Sequence, residues 1–258
     1  MKRFSAAALV LCITSNLLGA IKTKTIEYKQ GDTTLEGYLA YDDSTIAKRP
    51  AVIVIHEWWG NNSYSHKRAE MLAQLGYVGF AIDMYGKGMQ TDDAAKAGEW
   101  SGAIKKDPKT AFARIQAGMD QLKAQPMVDM THVAAIGYCF GGSCVLNMAR
   151  TNMPILGVVS FHGDLSPLDT PSQNIKPKIL VCNGADDSFV PAAAVQSFED
   201  EMRKAGADWQ FINYSSAHHA FTNPDADSHK IPNISYNKAA DERSWRAMKD
   251  FLTELFGK

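Results

Sequence analysis

Cysteine is scarce in this chain, charge of one sign is not in excess, and no apolar run approaches the length of a membrane span. Four cysteines in 258 residues exclude a small disulfide-stapled scaffold. With 27 basic against 28 acidic residues, a net charge of −1, nothing builds the basic field that nucleic-acid binding requires. No apolar stretch reaches the ~18 to 20 residues of a transmembrane helix, so no stable membrane anchor is expected. A Pro/Ser/Gly-rich linker, an internal repeat and a low-complexity tract are all missing, which argues for one large domain. Neither a His-Glu-x-x-His nor a paired Cys-x-x-Cys motif occurs, so no metal site and no dithiol redox pair is expected. What remains is ordinary for a globular protein with a sizeable core: 45% hydrophobic residues, 10% aromatic and 21% charged.

The first twenty residues read as an export leader. Lys2-Arg3 precede an apolar run from Phe4 to Ile13 and a short stretch ending Leu18-Gly19-Ala20, the order of a signal peptide with cleavage after Ala20. The expected domain is then residues 21–258, periplasmic or secreted. Taking away Lys2 and Arg3 leaves 25 basic against 28 acidic residues, or −3, and the argument against nucleic acid is unchanged. Cys139, Cys144 and Cys182 remain, an odd number, so at least one thiol is expected to be free.

Apolar patterning predicts an α/β architecture. Residues 24–28 and 34–41 alternate apolar and polar around Gln30-Gly31-Asp32, the pattern of an antiparallel hairpin at a sheet edge. Short β-branched or apolar runs follow at 51–56, 78–82, 133–137, 156–161, 179–182 and 209–214, reading as strands buried on both faces. Helical patterns at 65–75, 108–125, 142–150, 192–205 and 236–256 separate most of them, which predicts a mostly parallel sheet covered by helices. In such sheets chemistry gathers at the carboxyl ends of the strands.

One strand end there carries Gly137-Tyr138-Cys139-Phe140-Gly141-Gly142 before a helical run. This is a nucleophile elbow with cysteine in place of serine: glycines two before and two after remove side chains that clash in the sharp turn. The helix amino terminus behind it stabilises a thiolate and later an oxyanion. By itself a Gly-x-Cys-x-Gly match is weak, and a structural cysteine is the plain alternative. Two further groups follow in the order nucleophile, acid, histidine. Asp186-Asp187 lie after the strand at 179–182, and His218-His219 after the strand at 209–214. A histidine there can move the thiol proton while a carboxylate fixes its tautomer. Glu57, directly after the apolar run at 51–56, is a further candidate, because a carboxylate in that setting is expensive without a partner.

These motifs resemble the dienelactone hydrolase family of cysteine-dependent α/β-hydrolases along nearly the whole of residues 21–258. The elbow Gly-x-Cys-x-Gly-Gly, an acid loop ending Asp-x-Phe-Val-Pro, and an Ala-x-His-x-Phe segment match Cys139, Asp187 and His219. The resemblance implies that Glu57 contacts the thiol and takes part in its activation, and that the backbone N–H groups of Phe140 and Trp58 form the oxyanion hole. Where the family holds a substrate carboxylate with two arginines, this chain has Lys87, in Asp83-Met84-Tyr85-Gly86-Lys87, and Asn223. Lysine lacks the bidentate fork and asparagine lacks the charge, so dienelactone itself is not the expected substrate. Tyr85 and His162 are expected to join Lys87 and Asn223 at the substrate, and Trp58, Trp59, Trp100 and Tyr138 offer further aromatic walls. The expected activity is hydrolysis of a small ester or lactone without a cofactor. A general carboxylesterase or thioesterase, or a non-catalytic small-molecule-binding protein on the same fold, are the alternatives; loss of a triad member would mark the last.

Overall fold

The computed structural model describes residues 20–44, 47–170 and 172–257. The leader reading falls on residues that lie, apart from Ala20, outside the described ones. Eight strands form one sheet in the order β1-β2-β4-β3-β5-β6-β7-β8. They are β1 (Ile21–Gln30), β2 (Thr33–Asp42), β3 (Arg49–Ile55), β4 (Val78–Ile82), β5 (Val128–Tyr138), β6 (Gly157–Phe161), β7 (Lys178–Gly184) and β8 (Trp209–Tyr214). The helices are α1 (Ser63–Gln74), α2 (Ala94–Lys106), α3 (Pro108–Lys123), α4 (Phe140–Arg150), α5 (Ala192–Lys204) and α6 (Lys238–Phe256).

The hairpin forms as its alternation predicts, with Gln30 opposite Thr33 across a two-residue turn in which Gly31 takes φ +56°. β2 then pairs antiparallel with β4, and the other neighbours run parallel. Every residue of β3 and β4 is buried, as expected for strands covered on both faces. Because side chains alternate, Ala51, Ile53 and Ile55 of β3 enter a core packed by α2, α3, α4 and α5, while Val52 and Val54 enter the one under α1 and α6. Two layers of helix on one sheet hold the strand ends rigidly, and every loop discussed below leaves a carboxyl end.

One element departs from the sequence reading. Residues 94–106 form α2, where no helix is expected from the pattern. Its buried residues are Ala97, Ser101 and Ile104, so its inward face is small and partly polar and gives no apolar stripe. Its cap is legible in retrospect: the Asp93 carboxylate accepts from the Ala95 and Lys96 N–H groups. Among the described residues no helix is long and apolar enough to cross a membrane.

Candidate active site

β5 ends at Tyr138 and α4 begins at Phe140, leaving Cys139 alone to turn the chain. It does so at φ 52° and ψ −113°, a conformation that a residue with a side chain holds only under constraint. The constraints are visible. Its N–H is shared between Phe161 O (3.0 Å) and His162 Nδ1 (3.1 Å), and its carbonyl accepts from Gly142 N–H at 2.9 Å. A Cβ on Gly137 would stand 2.0 Å from Gly141 O, and one on Gly141 2.2 Å from Ile55 O, so the turn closes only with glycine at both places.

Two neighbouring loops deliver the partners of the thiol. Asp187 follows β7, its side chain fully buried, with Oδ1 accepting from Phe189 N–H at 2.9 Å. His219 follows β8. Its Nδ1 donates to Asp187 Oδ2 at 2.9 Å and its Nε2 lies 3.1 Å from Cys139 Sγ. The loops are tied to each other by Asp186 N–H on Ala217 O (3.0 Å), and Gly184 passes so close that a Cβ would meet Ala217 O at 2.4 Å. Asp187 rather than Asp186, and His219 rather than His218, therefore make the chain of contacts. Burial disfavours a charged imidazole at His219, yet negative charge on Cys139 and Asp187 outweighs it and pushes its pKa up to about 10.

A cavity of about 280 Å³ opens on this triad, lined by Trp58, Ser101, Lys105, Cys139, Phe140, Asp164, Phe189, His219 and Ile234. Phe140 N–H is one of the donors that a helix start leaves without an intrahelical partner, and Trp58 lies in the turn after β3. Neither N–H finds an acceptor among the described residues.

Glu57 is 3% exposed, and burial raises its carboxyl pKa to about 7, partly countered by a hydrogen bond from Asn223. That bond, Asn223 Nδ2 to Glu57 Oε2, is 2.6 Å long, while Oε1 has no partner among the described residues. Glu57 is thus held by Asn223 and makes no hydrogen bond to the thiol, which instead faces His219. Asn223 is correspondingly occupied as a clamp on Glu57 and does not line the cavity.

The other expected substrate contacts also sit elsewhere. Lys87 does not reach the cavity. Asp83 Oδ1 accepts from the N–H groups of Tyr85 and Gly86, Lys87 N–H bonds Thr34 O, and this curl sends the ammonium outward onto Glu27 and Glu36 of the hairpin. Tyr85 stands one layer behind, its hydroxyl donating to Trp58 O at 3.2 Å and its ring edge-on to His56 and Trp100. His162 is fully buried beneath Cys139. Since Nδ1 accepts from Cys139 N–H, Nε2 carries the proton and donates to Thr222 Oγ1 at 2.7 Å. Thr222 Oγ1 in turn shares a 2.6 Å hydrogen bond with Tyr64 Oη, and Thr222 O accepts from Arg68, itself paired with Asp241 at 2.7 Å. This buried network braces the His219 loop against α1 and α6. Of the aromatic walls, Trp58 is in place, whereas Trp59 stacks on His229 and Tyr138 on Phe161.

Sequence reasoning missed Ser101 and Lys105, which ride on the unforeseen α2, and Asp164, Phe189 and Ile234. Phe189 carried a signal: it follows Asp187 closely, is 56% exposed and packs edge-on against His219. Cys144 and Cys182 are buried, with thiol pKa values pushed up by burial to about 12, so neither is a candidate nucleophile. No group of three or more His, Cys, Asp or Glu side chains among the described residues is arranged to hold a metal ion.

The chain is similar to known proteins along most of its length. A model of the dienelactone hydrolase family matches residues 35–256. The crystal structure of a dienelactone hydrolase-like promiscuous phosphotriesterase from metagenomic libraries is 39% identical, with a TM-score of 0.88, covering 92% of this chain and 99% of that one. A Synechocystis protein named "Putative carboxymethylenebutenolidase" is 26% identical over 250 residues, 91% of this chain and 98% of its own length. An uncharacterized protein of Caenorhabditis elegans is 36% identical over 146 residues, 55% of this chain and 92% of the relative.

Proposed function

The chain belongs to the dienelactone hydrolase family, carboxylic ester hydrolases on the α/β-hydrolase fold, and we propose that it cleaves a small ester or lactone through a thioester on Cys139. One observation carries this reading: the unbroken line Asp187 Oδ2, His219 Nδ1, His219 Nε2, Cys139 Sγ, with contacts of 2.9 and 3.1 Å at the mouth of a cavity. In this reading the Cys139 S–H proton passes to His219 Nε2 as the sulfur attacks the carbonyl carbon, and the carbonyl π pair moves to oxygen. The N–H groups of Phe140 and Trp58 stabilise that oxyanion. When it collapses, the carbon–oxygen bond to the alcohol breaks and His219 Nε2 gives its proton to the departing alkoxide. Water then attacks the thioester as His219 takes one of its protons, the carbon–sulfur bond breaks as that proton passes to sulfur, and the acid leaves with the thiol restored. Asp187 holds the imidazole in the required tautomer and offsets its charge.

Dienelactone is a poor fit, because the cation expected to hold its carboxylate, Lys87, is engaged by Glu27 and Glu36. A neutral ester suits the cavity better. The test is p-nitrophenyl acetate hydrolysis by wild type, by protein alkylated with iodoacetamide, and by Cys139→Ser. The expected result is turnover that is lost as Cys139 alone is labelled, and a fall of roughly 10³-fold or more in Cys139→Ser. Turnover that survives labelling of Cys139, or matches wild type in the serine variant, sinks the mechanism.

A further inference from the structure

Behind the catalytic cavity lies a second one, of about 180 Å³, between α2, α3, the start of α4 and the 164–169 loop. Its walls include Ile104, Ala111, Phe112, Ile115, Phe140 and Leu168. The two cavities share three residues: Lys105, Phe140 and Asp164. Lys105 Nζ and Asp164 Oδ2 are 3.3 Å apart and each side chain is 45% exposed, so the threshold where the two cavities adjoin carries a half-exposed ion pair with no net charge. The structure thus places beside Cys139 a ring-sized, half-open space whose apolar walls are bordered by Ser143, Asn147, Ser166 and Asp169.

Resting on the ester-hydrolase reading above, we propose that the second chamber is the acyl subsite and that this hydrolase prefers esters whose acyl group ends in an aryl-sized apolar arm. The direction follows from proton transfer. His219 protonates the departing alcohol, so the alcohol must lie on the His219, Phe189 and Ile234 side of the catalytic cavity. The acyl group then points the other way, toward Phe140, Lys105 and Asp164. None of His219, Phe189 and Ile234 lines the second chamber, and all three threshold residues do. A short acyl group leaves the apolar walls against water, whereas an aryl arm covers them.

The test holds the leaving group constant and varies the acyl part. The ratio of kcat/KM for p-nitrophenyl 3-phenylpropionate to that for p-nitrophenyl acetate is measured in wild type, in Ala111→Phe, which fills the chamber from α3, and in Phe112→Ala, which enlarges it. The expected ratio favours the phenylpropionate at least ~tenfold in wild type, a low value for an apolar pocket contact. It collapses toward one in Ala111→Phe, and Phe112→Ala moves the preference toward the 3-(2-naphthyl)propionate ester. A ratio near one in wild type, or one that Ala111→Phe leaves in place, overturns the proposal. Binding is read separately, without turnover, by titrating 3-phenylpropionate and acetate against tryptophan fluorescence, since Trp58 lines the catalytic cavity. Tighter binding of phenylpropionate that Ala111→Phe abolishes supports the subsite even where the esterase reading fails. Equal binding by wild type and Ala111→Phe overturns it even where the esterase reading holds.

Discussion

Glu57 is the residue whose surroundings say most about how the site is tuned. Its carboxyl sits against the His219 side of the network, buried, with one oxygen on Asn223 and the other bare, and burial lifts its pKa to about 7. The positive field of His219 works in the opposite sense, favouring the ionised carboxylate. Coupling of this kind is reciprocal: an ionised Glu57 must favour the proton on His219 by the same free energy. As pH rises through 7, Glu57 therefore gains charge and His219 holds its proton more firmly. The expected outcome is an inflection near pH 7 in kcat/KM for p-nitrophenyl acetate that vanishes in Glu57→Gln, with His219 losing its proton at lower pH in that variant, as read from imidazole NMR. An inflection that persists in Glu57→Gln belongs to another group. Glu57 was legible in the sequence because a carboxylate after a buried strand is conspicuous. That Asn223 engages it was not, since 166 residues separate the two and only the fold brings them together. Lys87 misled for the converse reason: the family resemblance placed it at the substrate, and three hydrogen bonds in the 83–87 curl turned it away.

Elements show the same division between what local chemistry dictates and what packing decides. The elbow between β5 and α4 was readable because its glycines are demanded by backbone sterics alone. Gly137→Ala tests this directly, since its Cβ would overlap the Gly141 carbonyl at 2.0 Å and no side chain can yield there. The expected cost is about 3 kcal/mol or more in urea unfolding, together with loss of Cys139 alkylation above the rate of a free thiol. A variant with unaltered stability and reactivity would show that the turn is not as tight as the contacts imply. Strands such as β3 and β6 were equally readable, because apolar β-branched runs have few other homes. α2 was not. Its face toward the core is Ala97, Ser101 and Ile104, and the Ser101 hydroxyl satisfies itself on Ala97 O at 2.8 Å. The three recur at helical spacing, but only Ile104 is large and apolar, so the stripe has too little hydrophobic contrast to read, and it is this helix that supplies Lys105 to both cavities. The residues proposed as catalytic were thus visible in the sequence, while the cavity wall that α2 supplies was not.

For the whole molecule, burial of ionisable groups on both sides of neutrality sets the pH range of the fold. His56 and His162 are fully buried and their pKa values are lowered by desolvation, His162 well below 6.5. Below pH 6.5 the unfolded chain takes up protons there that the native chain refuses, so stability falls on acidification. His219 works on the other limb. With its pKa raised from 6.5 to about 10, the stability it contributes is complete below 6.5 and is lost as pH climbs toward 10. A maximum near neutrality is the expected result. Glu57 runs against the acid limb: its pKa is raised from the ordinary 4.5 to about 7, so the native state binds its proton more tightly and stability drains away as pH rises through that window. Each tenfold in proton affinity is worth ~1.4 kcal/mol, so the ionised, buried carboxylate costs the fold roughly 3 kcal/mol above pH 7. Glutamine mimics the protonated acid in shape and in its ability to accept from Asn223. Glu57→Gln should therefore match wild type in urea unfolding near pH 4.5 and exceed it by up to roughly 3 kcal/mol at pH 8. A variant less stable than wild type at pH 8 would mean that the ionised Glu57 is held by interactions stronger than its single hydrogen bond to Asn223. An advantage at pH 8 accompanied by lost esterase activity would mark Glu57 as a group kept for chemistry at the expense of the fold.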